Sequence, residues 1–198
     1  TLAMALKAGA LGVPFLPVRS ALGSDLFSTN PGIRRCNCPF SGDLLVAVAA
    51  IRPDVAIVHV QRADEYGNAH SWGNLGVTRD GCLASRQVII TAEQIVPTAL
   101  ITNDPNRVVT PGFRVSAVVH VPWGGHPSPV PGCYNRDHQA FLDYSAESGS
   151  VAAFERWLGH WVNDARTPEG YRHLLGPERM ESLRLKTHLY SEPVDYGY

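Results

Sequence analysis

Two short stretches of this chain gather side chains able to bind a small molecule or move a proton. In the first, Gln61, Arg62, Asp64, Glu65 and Asn68 crowd into one loop directly after an apolar run, and Gly67 allows a sharp turn among them. Carboxylates placed this way could act as acid and base. In the second, Arg19, Ser20, Gly23, Ser24 and Asp25 follow the proline-framed segment Val13-Pro-Phe-Leu-Pro-Val18. A guanidinium there could clamp a carboxylate or phosphate through two parallel hydrogen bonds, and Gly23 leaves room for the ligand. The plainer reading of Arg19 is a structural arginine, paired with Asp25 or with a second chain.

Other reactive residue types carry less. Cys36 and Cys38 form a C-x-C pair, but Cys82 and Cys133 stand apart from it, and a structural zinc site needs about four ligands at compatible spacing. No metal is expected. None of the histidines forms a metal-binding H-x-x-x-H pair. His59 and His120 lie inside apolar runs, where a hydrogen-bonded core histidine is the ordinary outcome. His126, beside Gly124 and Gly125, is the more interesting one, although packing is still its plainer role. Thr1 could in principle be an N-terminal nucleophile, but it opens a helix-like segment, whereas such nucleophiles normally begin a strand.

The elements that would position these groups follow from periodicity. Residues 55–60 are β-branched or small and apolar except for His59, which suits a strand covered on both faces, as in a parallel sheet. Open α/β sheets bind ligands just outside the carboxyl ends of their strands, where the Gln61 to Asn68 cluster sits. Residues 2–11 have helical spacing, stopped by Gly12. Residues 19–39 read as a long loop, of the kind that is usually functional or covered by a partner. Residues 43–51 read as a helix with Asp43 at its start and Leu44, Leu45, Val48 and Ile51 in one stripe. A glycine-rich loop then runs through Gly81. Strands are expected at residues 86–91, 98–102 and 114–121, with a turn of helix at residues 92–95 and a proline-rich coil at residues 122–132.

From Arg136 onward the pattern is helical: residues 137–147, residues 151–163, a third helix opened by Thr167-Pro168-Glu169, and residues 177–188. The expected class is α/β, an open, mostly parallel sheet with flanking helices and a helical tail at residues 136–198, within one domain spanning residues 1–198.

At 198 residues, with 44% hydrophobic and 18% charged positions, the chain is long enough for one real core. A net charge of -1 gives no reason to expect nucleic acid or an anionic membrane as partner. No apolar run approaches the ~20 residues needed to span a bilayer. The start lacks the basic region of a signal peptide. Reduced thiols in a cytoplasmic protein are the expected use of the four cysteines.

Several ordered motifs resemble the α (A) subunit of the family I CoA-transferases, most of all the glutaconate CoA-transferase branch. They are Ala8-Gly-Ala-Leu-Gly-Val-Pro-Phe-Leu-Pro-Val-Arg19, then Pro53-Asp-Val-Ala-Ile-Val-His-Val-Gln61-Arg-Ala-Asp-Glu-Tyr-Gly67-Asn-Ala69, then Ala92-Glu93-Gln-Ile-Val96 and Thr110-Pro111-Gly112. The segment Gly125-His126-Pro-Ser-Pro-Val-Pro-Gly132-Cys-Tyr134, leading to Phe141-Leu-Asp-Tyr144, resembles the glutaconate branch in particular. In that family the α subunit has a further region ahead of the point matching Thr1, so residues upstream of Thr1 are expected.

The resemblance implies CoA transfer between an acyl-CoA and a small carboxylic acid. A glutamate of the β subunit would carry the covalent chemistry, with coenzyme A as substrate and thioester intermediate and no permanently bound cofactor. No catalytic nucleophile is then expected in this chain, and Glu65 and Glu93 become loop and fold residues. Arg19, Ser20 and Gly23, then Gln61, are the expected contribution to the acyl pocket. The expected assembly is a hetero-oligomer with the β subunit, α2β2 or larger. A related branch, in which Arg19 also matches, cleaves carbon-carbon bonds of ring-containing CoA thioesters. A scaffold subunit that only completes its partner's pocket is the non-enzymatic alternative.

Overall fold

The structure is a computed structural model in which residues 1–185 are described. Its strands are β1 (Phe15–Val18), β2 (Ile33–Asn37), β3 (Leu44–Ala49), β4 (Val55–Ala63), β5 (Ala69–His70), β6 (Gln87–Ile95), β7 (Val108–Thr110) and β8 (Val115–His120). The larger sheet has the order β7-β5-β4-β6-β8. β4, β6 and β8 run parallel, while β5 is antiparallel to β4 and to β7. A smaller antiparallel sheet has the order β1-β3-β2.

Helices α1 (Leu2–Leu11), α2 (Leu26–Thr29), α3 (Thr78–Ala84) and α4 (Thr98–Thr102) accompany the sheets. The tail is helical, as its patterning predicts: α5 (His138–Glu147), α6 (Val151–Leu158), a π-helical turn at Gly159–Asp164, α7 (Pro168–Leu175) and α8 (Pro177–Leu183). Asp137, Ser150 and Thr167 accept hydrogen bonds from the first turns of α5, α6 and α7, satisfying amides that have no partner within the helix.

The fold class agrees with the sequence reading, but several elements differ. Residues 43–51 are not a helix. Val46 and Val48 are buried at a spacing of two, and β3 pairs on both sides, Val46 with Val18 of β1 and with Arg35 of β2. Such pairing partners distant in sequence override a local helical stripe. The loop of residues 19–39 contains α2 and β2, and the glycine-rich stretch before Gly81 already contains the start of α3.

Residues 92–95 continue β6 rather than turning helical, because Ala92 and Ile95 stay in register with Val60 and Ala63. Residues 98–102 are helical: Pro97 turns the chain off the sheet edge, and Ile101 plugs inward at 1% exposure. The helix expected at residues 151–163 is α-helical only to Leu158 before its π-helical turn. Of the helix expected at residues 177–188, the part beyond residue 185 lies outside the described residues.

One face of the larger sheet is closed. Val60, Val88, Ile90 and Ala92 pack with Cys82 of α3 into the main core. The opposite face is divided. Near the carboxyl ends of β4 and β6, the segment following β8 lies over His59 and Glu93. Toward the amino end of β4 the same face is bare: Ile57 is 71% exposed, and Val55 is also open. The covering of both faces expected for β4 therefore holds only for its carboxyl half.

Candidate active site

Arg19, Ser20 and Gly23 lie together in the loop that leaves β1, on the surface of the small sheet. Arg19 Nη2 donates to Asp43 Oδ2 at 2.6 Å. The pair thus forms with Asp43, just ahead of β3, and not with Asp25. The bond to Arg19, helped by the Ser41 hydroxyl, holds the Asp43 carboxyl below the usual range. Ala21 sits at φ 69, in the left-handed region that a residue with a Cβ rarely adopts, and Gly23 follows at φ 78.

Gln61 does not join this loop through any hydrogen bond. Its side chain is buried, with Nε2 donating to the carbonyls of Trp72 and Pro131 at 3.0 and 3.2 Å and Oε1 accepting from the Trp72 amide. The rest of the β4 loop is equally self-contained. Asp64 is fully buried; its Oδ1 accepts from the Tyr66 and Asn68 amides and its Oδ2 from Asn68 Nδ2. Asn68 Oδ1 in turn takes the Gly112 amide. Gly67 is at φ 89, and a Cβ there would lie 2.6 Å from Val115, so the turn requires glycine on both counts. Glu65 is exposed.

His70 is wedged between Arg62, which donates to its Nδ1, and the Ile101 carbonyl, which accepts from its Nε2. That tautomer is neutral. Burial, and then the Arg62 charge, hold its pKa below the ordinary histidine value.

Glu93 is a second buried carboxylate. Its Oε1 meets His59 Nε2 at 2.7 Å and the Tyr134 hydroxyl at 2.7 Å, and its Oε2 accepts the Trp123 amide at 2.8 Å. His59 Nδ1 contacts Thr91 Oγ1 at 2.9 Å. Trp123 holds φ 68 and stacks on Tyr134 with ring centroids 4.3 Å apart. Burial, and then the nearby carboxylate, push the Tyr134 phenol strongly upward. The same causes push the Cys133 thiol up to about 12. Neither is a nucleophile at neutral pH.

His126 is likewise structural. Its ring lies between the Tyr171 hydroxyl at 2.7 Å and Asp137 Oδ2 at 3.0 Å. Arg179 forks onto both oxygens of Asp137, which also caps α5. Burial pushes the Asp137 carboxyl up, but Arg179, the Ala140 amide and His126 together hold it below its ordinary value. For His126, burial outweighs the pull of Asp137 and lowers the pKa. This latch fastens the helical tail to the segment that follows β8, beside a cavity of about 620 Å³ walled by Trp123, Phe141, Trp157 and Trp161.

Cys36 and Cys38 are free, half-buried thiols, and no group of three or more metal-binding side chains occurs among the described residues. No described helix is long and apolar enough to cross a membrane. Sequence reasoning missed Asp43 as the partner of Arg19, and also Tyr134, Asp137 and Arg179. Only the capping of α5 by Asp137 has a local signal, an Asp directly before a helical run.

The architecture is that of an open α/β protein with polar loops at its strand ends. The chain belongs to the coenzyme A transferase family, which it matches over residues 1–121. The A-type subunit of the 3-oxoadipate CoA-transferase of Pseudomonas knackmussii is 40% identical over 166 residues, 83% of this chain and 58% of that protein. The A-type subunit of the glutaconate CoA-transferase of Acidaminococcus fermentans is 32% identical, covering 92% of this chain and 62% of its own length. The crystal structure of the glutaconate CoA-transferase from that organism superposes with a TM-score of 0.87 at 31% identity, covering 96% of this chain and 65% of that one. The chain spans about three-fifths of the length of these relatives.

Proposed function

We propose that these 198 residues are one domain of the A-type subunit of an enzyme that moves coenzyme A between an acyl-CoA and a small carboxylic acid. The observation that carries this reading is that the two buried carboxylates of the strand-end site are already spent. Glu93 is held by His59, Tyr134 and the Trp123 amide, and Asp64 by its own loop. On this reading the attacking carboxylate belongs to a second type of subunit, in an assembly of two or more of each chain. The names of the relatives, A-type subunits of CoA-transferases, support the same division of labour.

On this reading the partner's carboxylate attacks the thioester carbonyl and expels the CoA thiolate, leaving a mixed anhydride. The thiolate then attacks the partner's acyl carbon, releases the first acid and forms an enzyme thioester. The acceptor acid takes the CoA by the reverse sequence. Arg19, Ser20 and Gly23 supply this chain's contact with the substrate acid, and Gln61 braces the loop at Trp72. Coenzyme A enters as substrate and covalent intermediate. The free thiols support a cytoplasmic location.

The test is to incubate the assembled two-subunit enzyme with acyl-CoA, with and without an acceptor acid, and to identify the products by mass spectrometry. Transfer that requires the acceptor is expected. Acceptor-independent loss of the thioester with ring opening would replace this reading by the carbon-carbon hydrolase. An Arg19→Ala enzyme of unchanged rate and intact assembly would reduce the chain to a scaffold.

A further inference from the structure

The Arg19–Asp43 pair joins two loops that are far apart in sequence. Arg19 leaves β1, and Asp43 closes the hairpin tip between β2 and β3, with its amide near the Ser41 hydroxyl. The side chains are 73% and 45% exposed. An exposed pair of this kind contributes little to stability, so the fold does not depend on it.

Two facts set it apart from a chance surface contact. The contact is a short 2.6 Å bond made through a single guanidinium nitrogen, Nη2, leaving the other donors of the fork open. The loop it steadies also carries one of the few non-glycine residues at positive φ among the described residues, Ala21 at φ 69. Strain of this kind persists where the surroundings over-determine a conformation, and it gathers at functional loops.

We propose that Asp43 is a positioning residue of the acid-binding site: it fixes one edge of the Arg19 guanidinium so that the remaining donors face the substrate's carboxylate. The proposal rests on the reading of Arg19 given above. Without Asp43, a long flexible side chain has to be ordered by the substrate itself, and that cost weakens binding rather than slowing chemistry. Asp43 also keeps the guanidinium from acting as a full point charge. The site therefore selects a carboxylate by the direction of its hydrogen bonds more than by anionic charge alone.

The experiment measures initial rates of CoA transfer with the full-length chain assembled with its partner, varying the acceptor acid, for Asp43→Ala, Asp43→Glu, Arg19→Ala and the Asp43→Ala/Arg19→Ala double variant. Asp43→Ala is expected to raise KM for the acid about tenfold with kcat held within about twofold, and Asp43→Glu to keep KM within about threefold of the parent. Arg19→Ala should raise KM at least as much, and the double variant no further than Arg19→Ala alone. A merely structural role for Asp43 would not split KM from kcat or be rescued by glutamate. An unchanged KM in Asp43→Ala, or additive effects, with Arg19→Ala still impaired, would overturn the role of Asp43 and leave that of Arg19 standing. An unimpaired Arg19→Ala would overturn both.

Discussion

The carboxyl ends of β4 and β6 and the loop leaving β1 are both rich in polar side chains, yet they use them in opposite ways. At the first, Gln61, Asp64 and Glu93 are buried and their hydrogen-bonding atoms are met by protein neighbours. At the second, Arg19 and Asp43 are exposed and share one bond, with donors to spare. A crowd of polar residues is thus not in itself a site. On the proposed reading, what separates structure from function is whether the hydrogen bonds are already committed.

The contrast can be broken most directly by removing a committed carboxylate. Asp137→Ala strips Arg179 and His126 of their shared partner, and loss of one member of a buried ion pair is expected to cost about 3 to 5 kcal/mol in urea unfolding. Glu93→Ala leaves the Tyr134 hydroxyl and the Trp123 amide buried without an acceptor, for an expected loss of about 2 to 4 kcal/mol by the same measurement. If either variant unfolds like the parent, the buried polar network is not a brace.

A smaller effect should follow pH. The folded pKa values of His70 and His126 are both lowered, so the unfolded chain binds more protons than the folded one in weak acid. Stability is then full above the ordinary histidine value of about 6.5 and declines as pH falls from there toward the lowered folded values. Thermal unfolding followed from pH 7.5 to 5.5 should show a falling midpoint, and His70→Gln should flatten part of that slope. Smaller in local reach is Gly67→Ala, which forces a Cβ into Val115 at a left-handed position and should cost more than about 1 kcal/mol. Least of all in stability is Arg19→Ala, expected to lie within about 0.5 kcal/mol of the parent, while on the proposed reading it should impair turnover.

Much of the fold was legible because it is written locally. The apolar run ending at Val60, the stop at Gly12 and the Thr167-Pro168 start of α7 each need only their near neighbours. Residues 43–51 misled because Leu44, Leu45, Val48 and Ile51 satisfy a helical stripe as well as a strand. Only pairing with β1 and β2 decides between them. The family was legible from ordered motifs, and the similarity to known sequences bears that out. The fate of the polar groups was not. Gln61 is claimed by a carbonyl at Pro131, and Glu93 by Tyr134 and Trp123, through contacts that no window of sequence displays.

The bare patch around Ile57 on the larger sheet has a colloidal consequence. Aliphatic side chains exposed on a sheet face wet poorly and offer little to keep two molecules from meeting there. Prepared alone, the 198-residue chain should enhance the fluorescence of an apolar dye and self-associate as its concentration rises. An Ile57→Lys substitution, which adds charge at a position already open to water, should delay both.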